Sequence, residues 1–183
     1  MSDFYDKIKP RLHRRIGREL RAAHRVLDLG CGSCDLVRYL AEAYHQDVTG
    51  VDLTGHSFPA RRRTREGDHY HCLKRDAAKL GFAQDMSADA VVMVWSLHEM
   101  EKPKAVLQEA YRVLRPGGEL LVVDFPRDSL AQQLWNEDYY RPPEVAALLR
   151  GAAFELVRVR LIEQEQLMWA RGYRPPARSV SAA

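Results

Sequence analysis

The sequence predicts an α/β protein whose sheet is doubly wound and mostly parallel, and three observations carry that prediction. Short apolar runs alternate along the 183 residues with stretches of helical periodicity, the pattern of crossover connections between parallel strands. The Val-rich run from Ala88 to Trp95 is nearly continuous, as suits a central strand covered on both faces. The segment Val26-Leu27-Asp28-Leu29-Gly30-Cys31-Gly32 reads as a buried strand ending in a glycine turn that opens into a helix.

Each element follows from its pattern. Residues from about Phe4 to Ala22 form a basic amphipathic helix, interrupted early by Pro10. A helix from Asp35 to Tyr44 carries Leu36, Val37, Leu40 and Ala41 on one face. Strand two is expected at 47–52. From Leu53 to Asp68 the pattern is weak, and Pro59 limits any helix to a short piece after it. Strand three is expected at 70–75 and strand four at 88–95. A helix over 103–114 closes at Arg115-Pro116-Gly117-Gly118, before strand five from Glu119 to Phe125. After Pro142-Pro143 comes a helix to about Arg150. Alternating strands at 154–162 and 166–173, separated only by Glu163-Gln164-Glu165, must pair antiparallel. One domain therefore spans 1–173, and the tail Arg174–Ala183, rich in Pro, Ser and Ala, is expected to be disordered.

Composition bounds the function. A chain of this length buries one substantial core and is too short for two full-sized domains. Apolar residues make up 46% and charged residues 29%, with a formal net charge of +3, so nothing in the balance argues for nucleic acid or membrane. The cluster Arg61-Arg62-Arg63-Thr64-Arg65 is a local exception, read as a solvated face or an anion-contacting patch. No apolar stretch approaches the ~18 residues of a spanning helix, and no signal-peptide apolar region opens the chain, so a cytoplasmic location is expected. Cys31, Cys34 and Cys72 are too few for a disulfide framework. Cys31-Gly32-Ser33-Cys34 spells C-x-x-C, and Cys72 lies beside His69 and His71. Small side chains in a tight turn explain these residues, and no metal site is expected.

The chemistry gathers where strands end. Gly30 and Gly32 let the main chain approach a ligand where a Cβ would collide, at a point that also receives the positive end of the following helix. The strand Val48-Thr49-Gly50-Val51-Asp52 ends in an acid 22 positions beyond Gly30. A carboxylate there lies at the tip of the neighbouring strand, placed to accept hydrogen bonds from ribose hydroxyls. A nucleoside-containing cofactor follows.

These motifs, with Gly50-Val51-Asp52-Leu53, Arg75-Asp76-Ala77, Asp89-Ala90-Val91-Val92-Met93-Val94 followed by Leu97-His98, and Val113-Leu114-Arg115-Pro116-Gly117-Gly118-Glu119-Leu120, resemble the class I S-adenosylmethionine-dependent methyltransferases. The likeness is to the ubiquinone/menaquinone-biosynthesis and small-molecule subgroup, and it covers about Val26 to Tyr173. It implies a Rossmann-like three-layer sandwich with a seven-stranded sheet, mostly parallel, the last strand antiparallel. It implies S-adenosyl-L-methionine as cofactor and a small-molecule acceptor. By resemblance, the Gly30–Cys31–Gly32 turn holds the methionine half, and Asp28 lies near its ammonium. Asp52 accepts the ribose hydroxyls, and Asp76 with the Ala77 backbone reads the adenine amino group. Leu53 packs on the ring, while Val94 and Trp95 flank the sulfonium.

The bland alternatives are that Asp52 caps a turn and Asp76 a helix. The chain departs from the family pattern at Cys34, where a third glycine is common, and at Val94, where a small polar residue is common. His98 and Tyr139 are candidates for contact with the acceptor, His98 also as a base; Tyr5 and Tyr140 could close over the same side. The short connection from Pro126 to Arg141 fits an open cleft for a bulky acceptor, or a site completed by a second subunit of a homodimer. Two other functions remain open. A dinucleotide-dependent oxidoreductase shares the glycine turn and acid, but Asp35 stands where the last glycine of G-x-G-x-x-G belongs. A non-catalytic module on the same scaffold would serve a partner protein.

Overall fold

The computed structural model describes residues 3–54, 58, 62–64 and 69–177. The elements are α1 (Asp3–Glu19), β1 (Arg25–Leu29), α2 (Asp35–Tyr44), β2 (Asp47–Asp52), β3 (Arg62–Arg63), β4 (His69–Lys74) and β5 (Ala88–Val94). After a single 3-10 turn at Leu97–Glu99 come α3 (Pro103–Val113), β6 (Leu114–Asp124), α4 (Leu130–Trp135), α5 (Pro142–Gly151), β7 (Glu155–Ile162) and β8 (Leu167–Tyr173).

One sheet runs in the order β3-β4-β2-β1-β5-β6-β8-β7. β4, β2, β1, β5 and β6 are mutually parallel, and β8 runs antiparallel to both β6 and β7. Seven long strands thus form the doubly wound sheet that the sequence predicts. The two-residue β3 adds a short antiparallel edge on β4, within the stretch where the sequence pattern is weak. Chain direction across the sheet reverses between β1 and β5, the switch point at which such folds open a crevice.

Alternation along the central strands builds two cores. Ala90, Val92, Leu121 and Val123 face α1 and α2, whereas Val91, Met93, Leu120 and Val122 face α3 and α5. Both sets are buried because helices cover both faces, and that explains the unbroken apolar runs. Helix α1 passes through Pro10 without the expected interruption. Ile8, Leu12 and Ile16 of the helix and Leu20 just beyond its end, four apart, are all buried. Burying four such side chains, at about 1.5–3 kcal/mol each, outweighs the roughly 3 kcal/mol cost of an internal proline. The chain end of α1 is closed by buried Gln46, whose amide donates to the carbonyls of Leu20 (2.6 Å) and Ala23 (2.8 Å).

Arg115–Gly118 is not a turn between helix and strand. It bulges out of β6, whose pairing with β5 jumps from Ala88↔Leu114 to Ala90↔Glu119. Arg174, placed by the sequence in the tail, belongs to the fold. Its backbone pairs with Gly117 and Gly118, and its guanidinium caps α3 through the carbonyls of Tyr111, Arg112 and Leu114. Residues 178–183 of the tail, and Arg61 and Arg65 of the basic cluster, lie outside the described residues. Among the described residues no helix is long and apolar enough to cross a membrane.

Candidate active site

The carboxyl ends of β1, β2, β4 and β5 open into a cavity of about 570 Å3, within the usual range for a small-molecule site. All ten residues singled out for a cofactor line it: Asp28, Gly30, Cys31, Gly32, Asp52, Leu53, Asp76, Ala77, Val94 and Trp95. His98 and Tyr139 are not among its lining residues; they pack together beside it, with ring centroids 4.6 Å apart.

The glycine turn is built by the sheet. The N–H groups of Gly30 and Cys31 both donate to the Val51 carbonyl, at 2.7 and 3.1 Å. Gly30 has φ +79°, and a Cβ there would lie 2.4 Å from the Ser96 Cβ. Ser96 is buried, and its hydroxyl donates to the Leu29 carbonyl at 2.8 Å, so it cannot yield. Only glycine meets both demands.

Asp52 accepts from the Gly32 N–H at 2.9 Å on one oxygen, and from the Thr54 N–H (2.8 Å) and hydroxyl (2.7 Å) on the other. Burial opposes its ionisation, yet these bonds prevail and hold its carboxyl below the usual range. A carboxylate has about four acceptor positions. These bonds fill three, so one stays open to a ligand hydroxyl, and the second hydroxyl of a diol takes the place of that of exposed Thr54. Asp76 accepts from the Ala78 N–H at 2.8 Å.

Asp28 differs from both. It is 2% exposed, and its Oδ1 has no hydrogen-bond partner. Burial, then the charge of Asp52, pushes its pKa up to about 7. A buried carboxylate oxygen left unpaired at a cavity wall is costly and marks where a cationic group belongs. The ammonium of S-adenosylmethionine is such a group, and the glycine cradle, the Asp52 acceptors and the exposed Leu53 face fit the rest of that molecule.

Helix α1 contributes residues that the sequence did not flag. Lys9, Leu12 and His13 line the cavity, and Lys9 pairs with Asp35 at 2.7 Å, tying α1 to the start of α2. Burial, then the charge of Lys9, lowers the His13 pKa to about 4. No motif announces these residues, because which face of α1 meets the turn is set by its packing.

The cysteines also depart from expectation. Cys34 and Cys72 form a disulfide between the start of α2 and β4, and Cys31 remains a buried thiol 3.9 Å from Cys34 Sγ. Gly50 makes room for them: a Cβ there would lie 2.7 Å from Cys31 Sγ and 2.8 Å from Cys72 Sγ. The two cysteines are 38 positions apart in sequence, and only the β2–β4 pairing brings them together.

Behind Trp95 the packing is aromatic. Trp95 stacks on Phe125 at 5.4 Å, and Tyr5 from α1 packs edge-on against both. Trp135 from α4 and Tyr139 pack on Phe125. His98, its side chain 5% exposed, sits between Asp124 (Nδ1, 2.7 Å) and Glu137 (Nε2, 3.2 Å). Burial would lower its pKa, but the bond to Asp124 and the surrounding carboxylates raise it. Burial, then Glu137, pushes the Tyr139 phenol up.

Comparison with known proteins agrees with this geometry. The family described as a methyltransferase domain matches residues 27–122. The chain is 35% identical over 124 residues to the ubiquinone/menaquinone biosynthesis C-methyltransferase UbiE of Ruegeria sp. (strain TM1040), covering 63% of this chain and 49% of that protein. It is 30% identical over 172 residues to the O-methyltransferase cnsE of Penicillium expansum, covering 84% and 61%. The chain thus spans about half the length of the UbiE relatives it matches. Among solved structures, a SAM-dependent methyltransferase from Aquifex aeolicus superposes with a TM-score of 0.69 at 18% identity, over 88% of this chain and 89% of that one. The Burkholderia thailandensis 1,6-didemethyltoxoflavin-N1-methyltransferase, solved with bound 1,6-didemethyltoxoflavin and S-adenosylhomocysteine, gives 0.68 at 20% identity, over 95% and 86%. With a family match across more than half its length and the strand order described above, the chain belongs to the class I S-adenosylmethionine-dependent methyltransferases.

Proposed function

We propose that this chain moves a methyl group from S-adenosylmethionine to a small-molecule acceptor by in-line displacement. The observation that carries the reading is the unpartnered, buried Asp28 oxygen in a cavity that Asp52 and Asp76 also line from neighbouring strand tips. Asp28 takes the ammonium, Asp52 the ribose hydroxyls, and Asp76 with the Ala77 backbone the adenine amino group. Leu53 lies under the ring, and Val94 and Trp95 flank the sulfur.

Bound there, S-adenosylmethionine supplies an electrophilic methyl group on a sulfonium. The chain's own work is positioning and exclusion of water, with the acceptor atom held about 3 Å from the methyl carbon. Trp95, backed by the rings of Tyr5 and Phe125, is the member of this aromatic cluster that lines the cavity, and its indole suits an aromatic acceptor. Relatives named as quinone C-methyltransferases and O-methyltransferases are consistent with an acceptor of this kind.

Calorimetric titration of the purified chain tests the reading. Micromolar binding of S-adenosylhomocysteine with no response to NAD is expected. Binding of NAD instead would return the oxidoreductase, and silence toward both ligands would leave a scaffold serving a partner.

A further inference from the structure

The side-chain cluster of His98, Glu99 and Glu137 is not needed to hold the cofactor. His98 Nε2 lies 3.2 Å from Glu137 Oε2 and 4.0 Å from Glu99 Oε1, and all three ligand atoms fall within 4.8 Å of one another. Metal–ligand bonds of about 2.0–2.2 Å separate neighbouring donor atoms by about 3.0–3.4 Å, so these spacings contract onto one ion with small side-chain movements. The Glu99 and Glu137 side chains are 67% and 49% exposed, and the Tyr139 hydroxyl, which donates to Glu137 Oε2 at 3.1 Å, leaves Glu137 Oε1 for an ion.

The histidine is oriented for this. Asp124, 1% exposed at the end of β6, accepts from His98 Nδ1 at 2.7 Å and from the His98 backbone N–H at 3.0 Å. The Phe125 N–H, at 2.9 Å, fixes the same carboxylate. A buried carboxylate holding Nδ1–H while Nε2 faces outward toward carboxylates is the outer-shell arrangement of metal-bound histidine.

We infer that His98, Glu99 and Glu137 form a binding site for one divalent transition-metal ion, with open positions for an oxygen donor of the methyl acceptor. One nitrogen and two carboxylates suit Zn2+ or Mn2+, and three protein ligands leave room for an exogenous one. Glu99 also lines the cofactor cavity, so an ion there stands between the sulfonium side and the Glu137 segment. The acceptor class, which rests on the methyltransferase reading, is then a molecule with a hydroxyl or enol oxygen. On the ion that oxygen would lose its proton to solvent more readily. It would then form the O–CH3 bond as the S–CH3 pair returns to sulfur.

The test is the metal-free chain of 183 residues, dialysed against Zn2+ or Mn2+ and assayed for bound metal, with Mn2+ followed by electron paramagnetic resonance. One ion per chain is expected. Glu137→Gln and Glu99→Gln, both at exposed side chains, should each weaken it at least tenfold. Asp124→Asn should weaken it about 10–100-fold, and Cys31→Ser should leave it unchanged. No stoichiometric ion at millimolar metal overturns the site, and so does an ion retained in Glu137→Gln but lost in Cys31→Ser. The S-adenosylhomocysteine titration runs on the same metal-free sample. Binding there without metal binding defeats only the metal site; metal binding without it defeats only the methyltransferase reading.

Discussion

The backbone N–H of Gly32 donates to the Asp52 carboxylate at 2.9 Å. This bond clamps the glycine turn after β1 to the tip of β2, and Thr54 holds the same carboxylate from the other side. The acceptor that a ribose would use is therefore oriented before any ligand arrives, and preorganisation of that kind reduces the ordering cost of binding.

Asp52→Ala should weaken S-adenosylhomocysteine by about 1–3 kcal/mol, the cost of leaving buried donors without an acceptor. Asp52→Asn, which keeps one carbonyl oxygen, should fall between the two. Calorimetry on folded variants measures this, and an unchanged affinity in Asp52→Ala removes the ribose role.

Asp28 makes binding depend on pH. Its pKa of about 7 lies above the ordinary carboxyl value of 3.8, so the ligand-free fold binds the extra proton between those limits. The unfolded chain has already released it there. Stability of the ligand-free protein should therefore decline as pH rises from about 4 to 7, since the native state binds more protons. Cofactor affinity should run the other way: an ammonium needs the ionised carboxylate, so affinity falls up to about tenfold per unit below pH 7. Asp28→Asn should be weak and nearly flat across this range. A wild-type affinity that does not change between about pH 6 and 8, roughly one unit either side of the transition, contradicts the role given to Asp28.

The Cys34–Cys72 link closes a loop of 38 positions. Loop-closure entropy for that length is worth about 4 kcal/mol, so reduction should lower Tm by about 10 °C in a chain of this size. Alkylation of unreduced, unfolded protein should label one thiol, Cys31; labelling of three would show that the link does not form.

Much of this protein is determined locally. Elements α2 and β2 fall at the residues their periodicity indicates, because one buried stripe or alternating face specifies each. The Gly30–Gly32 turn and Asp52 could be placed at strand ends from their spacing, and Asp28, Asp76 and Val94–Trp95 from the family resemblance; they line one cavity because parallel strands bring their ends to one edge. Three features needed the folded chain. Helix α1 keeps its course through Pro10, and puts Lys9 and His13 at the cavity, only because Ile8, Leu12 and Ile16 find α2 and the sheet. Cys34 meets Cys72 only through the β2–β4 pairing. His98 meets Glu137, 39 positions later, only after the Pro126–Arg141 segment folds back over the end of β6. Spacing along the chain reports what a strand or helix does by itself. Contacts between side chains far apart in sequence are decided by which apolar faces bury against each other, and that is a property of the whole fold.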